Sequence, residues 1–161
     1  MVLNMTTLVN QRFPTDCMIA AIAMALAVTW EEVYDTAIKC EAYKKDHSSG
    51  INAEDDILEC FGLVEYSGYQ NIDGDFRSIH RPYSISPEYF REQLWGRPVI
   101  FSAPSLNKAG GSHAVYYDGH EIFDPNPPSR NRYSSFSELL PTRALVFKPN
   151  VTAIVQERRG Q

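Results

Sequence analysis

The stretch QRFPTDCMIAAIAMALAV, residues 11–28, limits the possible folds more than any other part of the chain. From Met18 to Val28 it carries no polar side chain. A helix that is apolar all round has no face to offer to water, so it must be buried with other elements on every side. Its start is well signalled: Thr15 or Asp16 can act as N-cap, and Pro14 closes the preceding loop. The predicted helix runs from about Asp16 to Val28. Cys17 then stands at its mouth, where the positive end of a helix dipole favours a thiolate. A small cysteine buried in a core is an equally ordinary use of such a position.

A chain of 161 residues allows one domain with a normal core. We place that domain at residues 1–148 and expect residues 149–161 to form a polar tail that frays. The apolar run falls short of the ~18 residues that argue for a membrane span. The formal net charge is −5 and no basic cluster appears, which argues against an electrostatic nucleic-acid binder. The N-terminal MVLNMTTLVN lacks the basic and apolar regions of a secretory signal. Cys17, Cys40 and Cys60 are widely spaced, with no CxxC and no HExxH motif. That pattern predicts free thiols in a reducing, cytoplasmic compartment and neither metal nor cofactor.

Helices are expected first and strands second. A short strand is predicted at Thr7 to Asn10. Thr29-x-x-Glu32 is a capping box that opens a second helix, WEEVYDTAIKCEA. A third, INAEDDILECFG, has Asn52 as N-cap and Gly62 as its end signal. Residues 64–86 lose all periodicity and read as a long ordered loop, with or without short strands, of the kind that often binds something. A fourth helix, SPEYFREQLWG, is capped by Ser86 with Pro87 at its first position. Then come the strands PVIFSA, SHAVYY and HEIFD, a short helix SSFSELLP, and a last strand TRALVFK. This order predicts an α+β domain with a helical layer, centred on a buried helix, packed on a C-terminal antiparallel sheet.

Asp118-Gly119 suits the centre of a two-residue type I′ turn. With that turn, Tyr117 pairs with His120, Val115 with Ile122, and His113 with Asp124. Directly opposed side chains share a face, so a carboxylate stands beside an imidazole and can hold its tautomer. If the turn were Gly119-His120, His113 would face Asn126, and Asn can also orient a histidine. An activated thiol needs a base in hydrogen-bond reach and an orienter behind that base. Cys17, His113 and Asp124 supply those three types.

Gln11 followed six positions later by Cys17 resembles the first motif of papain-fold cysteine peptidases. The more specific resemblance is to their C39-like, bacteriocin-processing-type branch. There a Gln precedes an Asp-Cys that opens an Ala-rich helix, as in Gln11, Asp16-Cys17 and AAIAMAL. Gly96-Arg97-Pro98, His113-Ala114-Val115 and Asp124-Pro125 match the later motifs in order, and the likeness spans roughly residues 8–148. The resemblance implies a papain-like fold and a thiol peptidase or related hydrolase that cleaves a peptide, isopeptide or amide bond through an acyl-enzyme. It implies Cys17 as nucleophile, His113 as general base and then acid, Asp124 as orienter, and the Gln11 side chain with the Cys17 N–H as oxyanion hole. It also implies that Gly110, Gly111, Ser112 and Met18 border the substrate, a peptide or protein. Met18 departs from the family, which usually has Gly after the nucleophile, and a side chain there either fills the groove or packs beneath it. An acyltransferase of transglutaminase type and an inactive binding module on the same fold are the alternatives. His47 and His80 are expected to be exposed loop residues, Trp30 and Trp95 core or rim, and His120 a possible neighbour of the site.

Overall fold

The computed structural model describes residues 6–62, 66–79, 84–94 and 96–159. His80 and Trp95, named above, lie outside the described residues. The chain forms α1 (Cys17–Leu26), α2 (Trp30–Lys39), α3 (Glu54–Cys60), β1 (Tyr66–Ile72), β2 (Asp75–Ser78), β3 (Ser84–Ile85), α4 (Pro87–Gln93), β4 (Val99–Pro104), β5 (Ser112–Tyr117), β6 (Ile122–Phe123), β7 (Arg143–Phe147) and α5 (Val151–Arg159). The seven strands make one antiparallel sheet in the order β3-β2-β1-β7-β4-β5-β6.

The apolar run behaves as its composition requires. Every residue of α1 from Ile19 to Leu26 is buried. It packs with α2, α3 and α5 against Ile100, Ala114, Tyr116, Leu145 and Phe147 of the sheet. The alternate strand residues Val99, Phe101, Val115, Tyr117, Ala144 and Val146 face the other way, onto Phe90 and Leu94. This period-two division gives the sheet two buried faces. Among the described helices none is long and apolar enough to cross a membrane.

Several boundaries differ from expectation. Thr7–Asn10 forms no strand. Asn52 does not cap α3, whose N-cap position is Ala53 with no side-chain bond. The segment SSFSELLP is a turn rather than a helix, and it anchors Leu139 and Phe136 under the second face. Within the stretch expected to be a long loop, β1, β2 and β3 form a ladder. Polar residues fill the exposed positions of β1 and β2, so only Tyr69 and Phe76 mark the buried side.

The largest difference is the C-terminal segment, which is not a frayed tail. Val151 and Val155 are fully buried against the core of α1. Thr152 Oγ1 donates to Ala25 O at 3.5 Å and Gln156 Nε2 to Ala27 O at 3.3 Å. Those carbonyls belong to the end of α1, which closes on Ala27 in the left-handed region (φ 54°) with Val28 N donating to Ala23 O. A helix end leaves carbonyls unpaired, and α5 supplies two donors for them. The two valines alone are too sparse a stripe to announce that contact in the sequence.

Candidate active site

Cys17 is the first residue of α1, as expected, but its presentation depends on Asp16 in an unexpected way. Asp16 occupies the N-cap position and makes no side-chain cap bond. Its carboxylate, fully buried, turns back on the preceding loop. It accepts from Phe13 N at 2.8 Å, Arg12 N at 3.1 Å and Trp30 Nε1 at 2.7 Å. Three N–H donors compensate the buried charge and pin residues 12–16 to α2. Trp30 is core, as expected. The Arg12 guanidinium lies over the Trp30 ring, 4.1 Å from its centroid, and pairs with Glu31. On the other flank Phe13 stacks on His47 with centroids 3.7 Å apart, and Thr15 Oγ1 donates to His47 O at 2.9 Å. His47 is therefore no solvated loop residue; Tyr34 OH meets its Nε2 at 2.9 Å.

The β5–β6 ribbon provides the other half of the site. Its register pairs Tyr117 with Ile122 and Tyr116 with Phe123. The predicted pairs of a two-residue Asp118-Gly119 turn do not form; the register is that of the Gly119-His120 alternative. The connection spans residues 118–121 and closes with Asp118 N donating to Glu121 O at 3.1 Å. Continued, this register sets Asn126 across from His113 and Asp124 across from Val115. The slip from the predicted register moves the partner strand by two positions, and an even slip leaves every side chain on its original face. Asp124 therefore still shares the face of His113, as a diagonal neighbour. His113 Nε2 meets Asp124 Oδ1 at 2.6 Å, and the carboxylate, which can only accept, takes the proton-bearing nitrogen. Asn126 does not orient the ring. Its backbone N–H donates to Asp124 Oδ1 at 3.0 Å, and Tyr133 N donates to Oδ2 at 2.7 Å.

The two halves meet because β6 is short. Past Phe123 it no longer pairs with β5. At that open edge Ala114 N donates to Cys17 Sγ at 3.4 Å, so the sulfur takes the place a further strand residue would fill. That bond sets the sulfur beside the residue next to His113, whose Nδ1 is the ring nitrogen left by Asp124, and the sulfur adds to the ring's affinity for a proton. Burial works against the imidazolium, but the bonds to Asp124 and Cys17 outweigh it and His113 is pushed up to about 9. For Asp124 burial acts upward, while the bonds from His113, Asn126 N and Tyr133 N and the imidazolium charge hold it below its ordinary range.

The other expected residues are near in chain but have more local duties. Gln11 is buried; its backbone N donates to Pro125 O at 2.7 Å, tying the loop before Cys17 to the residue after Asp124. Its Nε2 donates to Phe13 O at 2.8 Å, and its Oε1 is buried without a partner. Gly110 has φ 74° with open space around it, so its backbone turn requires glycine. Gly111 is crowded by Lys108 O, 3.2 Å from where a Cβ would stand, and serves loop closure rather than a substrate approach. Ser112 starts β5 opposite Pro104 and is exposed. Met18 is partly buried and packs against the helical core. His120 sits in the 118–121 turn, at the opposite end of β5 from His113, and does not flank the site. Among the described residues no group of His, Cys, Asp and Glu side chains is placed to hold a metal ion.

Sequence reading missed the supports. Asn126 N, Tyr133 N and Ala114 N are backbone donors that any residue but proline could supply. Asp16 carried a signal, the Asp-Cys step, which its N-cap reading absorbed. Arg132, which donates to Asp124 O, and Trp30 Nε1 had none. No protein-family model, curated protein or solved structure matches this chain.

Proposed function

We propose that this chain is a cysteine peptidase or related thiol hydrolase of papain-like fold and C39-like type, acting on a peptide or protein substrate in a reducing compartment. The observation that carries this reading is the meeting of the two halves: His113 is bonded to Asp124, and the neighbouring Ala114 N–H holds the Cys17 sulfur. The raised affinity of His113 for a proton lets the ring hold the proton given up by the attacking thiol. The Cys17 sulfur attacks the scissile carbonyl carbon, and the carbonyl electrons move to oxygen. His113 passes its Nδ1 proton to the departing amine as the C–N bond breaks, leaving an acyl-enzyme. The neutral ring then takes a proton from water, the hydroxide adds to the acyl carbon, and the thiolate leaves. Asp124 stays ionised and holds the ring. The Cys17 N–H and the second Gln11 amide N–H are the donors for the oxyanion, each worth typically ~3 kcal/mol.

Iodoacetamide labelling at about pH 6, resolved by cysteine, tests this reading. Cys17 should alkylate well ahead of the exposed Cys60. Alkylation of all three thiols only above about pH 8 would reject it. A Cys17→Ala protein should lose turnover completely with only a small loss of stability; a large loss of stability with activity retained is the opposite result.

A further inference from the structure

We propose that the site at Cys17 takes a substrate that presents a carboxylate, as an acidic peptide segment does, to the two loops that flank the His113–Asp124 pair, where Lys108 and Arg130 receive it. This rests on the thiol-hydrolase reading and names its substrate class.

The argument is one of charge segregation on a fixed platform. The chain holds 15 cationic and 20 acidic residues. The loops on either side of the His113–Asp124 pair read SLNKAGG and PNPPSRNR, with Lys108, Arg130 and Arg132 and no Asp or Glu. The far turn of the same ribbon carries Asp118 and Glu121 and no Lys or Arg. The ribbon is therefore polarised along its length, positive at the site end. The one carboxylate at that end, Asp124, is buried and already matched by the imidazolium.

The positive end is also rigid. Asn107 Nδ2 donates to Asn131 O at 3.0 Å, and Asn131 N returns a bond to Asn107 Oδ1 at 3.1 Å. Asn126 Nδ2 donates to Asn131 O at 3.0 Å, and the first loop closes with Ser105 N to Gly111 O at 2.9 Å. Arg132 is spent on Asp124 O. Lys108 and Arg130 are exposed, and among the described residues neither pairs with a carboxylate. Arg12, in the loop before Cys17, is already paired with Glu31. Unneutralised cations on loops held in place attract anions over about a Debye length, ~8 Å at physiological salt. Because Gly110 keeps the loop turned and Asn107–Asn131 keeps the two loops together, that field needs no rearrangement when substrate arrives.

The test uses short Ala-spaced peptidyl chloromethyl ketones carrying Glu or, at the same positions, Gln. In low salt the Glu reagent should inactivate the wild-type thiol about five- to tenfold faster, and added NaCl should compress the ratio. Lys108→Glu with Arg130→Glu should abolish or invert the preference, and Lys108→Arg with Arg130→Lys should keep it. Equal rates for the two reagents, or a preference untouched by charge reversal in a protein of unchanged melting temperature, overturn the proposal. Calorimetric binding of the matched unreactive peptides to Cys17→Ala protein reads the same preference without chemistry. A thiol unreactive to iodoacetamide at about pH 6 with Glu-peptide binding intact rejects the hydrolase reading, whereas a reactive thiol with no charge preference rejects this one.

Discussion

The chain contains two Asp-Gly steps in antiparallel ribbons, and they fold differently. At Asp73-Gly74 the pair forms the whole connection between β1 and β2: Ile72 opposes Asp75, and both turn residues have positive φ, 53° and 93°. That is the two-residue turn the dipeptide favours. At Asp118-Gly119 only the glycine has positive φ, 100°, and the loop takes in His120 and Glu121 as well. Asp118 Oδ1 accepts from His120 N at 2.8 Å and Glu121 N at 2.7 Å, a side-chain turn that competes with the tight hairpin. Gly119 O also accepts from Gly96 N at 3.1 Å. The first turn faces open space, so local preference rules there. The second is pressed against the 96–97 segment, and the neighbour decides.

That contrast can be broken by substitution. Gly119→Ala should be the most damaging change, since its Cβ would stand 2.6 Å from Gly96 Cα and C, and φ is positive as well. We expect a loss of about 4 kcal/mol in urea unfolding. Parity with Gly74→Ala would show that the 96–97 contact does not govern the ribbon.

Next in size is the pH response of the site end. His113 rises from 6.5 toward about 9 on folding, so its stabilisation is complete below pH 6.5, declines as pH rises, and is gone above 9. The span corresponds to about 3 kcal/mol lost between those limits. Cys17→Ala should shrink the slope, because the sulfur is one of the groups holding the proton, while a substitution at Asp73 should leave it as it is. A flat profile for the wild type would contradict the ion-pair geometry. Asp124 acts with the opposite sign: its depressed value makes its contribution present at neutral pH and lost as the solution is acidified.

Asp118→Ala should cost about 1–2 kcal/mol through its two lost bonds, and should slow any Cys17-dependent turnover by loosening the 118–124 return that carries Asp124. Gly74→Ala should be the mildest, about 1 kcal/mol from backbone conformation alone, since no atom lies within 4 Å of the new Cβ.

The register of the second ribbon shows how an expected side-chain contact can form although the expected turn does not. Asp124 was expected across from His113; it lies across from Val115 and reaches His113 diagonally. Alternation of faces survives an even slip, so the pairing of chemistry was legible although the ladder was not. The strands β1 and β2 were not legible because glycine and polar residues hide the period-two pattern, and pairing of β1 with β7 and of β2 with β1 is what makes them strands. The α5 helix was missed for a related reason. Its apolar side is Val151 and Val155 only, and the bonds to Ala25 O and Ala27 O are made to residues more than a hundred positions away.

What the sequence determined by itself is the buried α1 helix, the capping box of α2 and the mixture of helices with an antiparallel sheet; the expected order of helices first and strands second does not hold, since β1, β2 and β3 precede α4 and α5 ends the chain. The helix and its neighbour's cap follow from patterns within a few residues, where periodicity and hydrogen-bonding reach act directly. The tertiary structure alone decided that β6 stops at Phe123, that the freed Ala114 N–H meets the sulfur, and that Asp16, Asn126 and Tyr133 hold the two halves in place. Those contacts depend on backbone amides and on segments distant in the chain, and neither leaves a mark in residue identity.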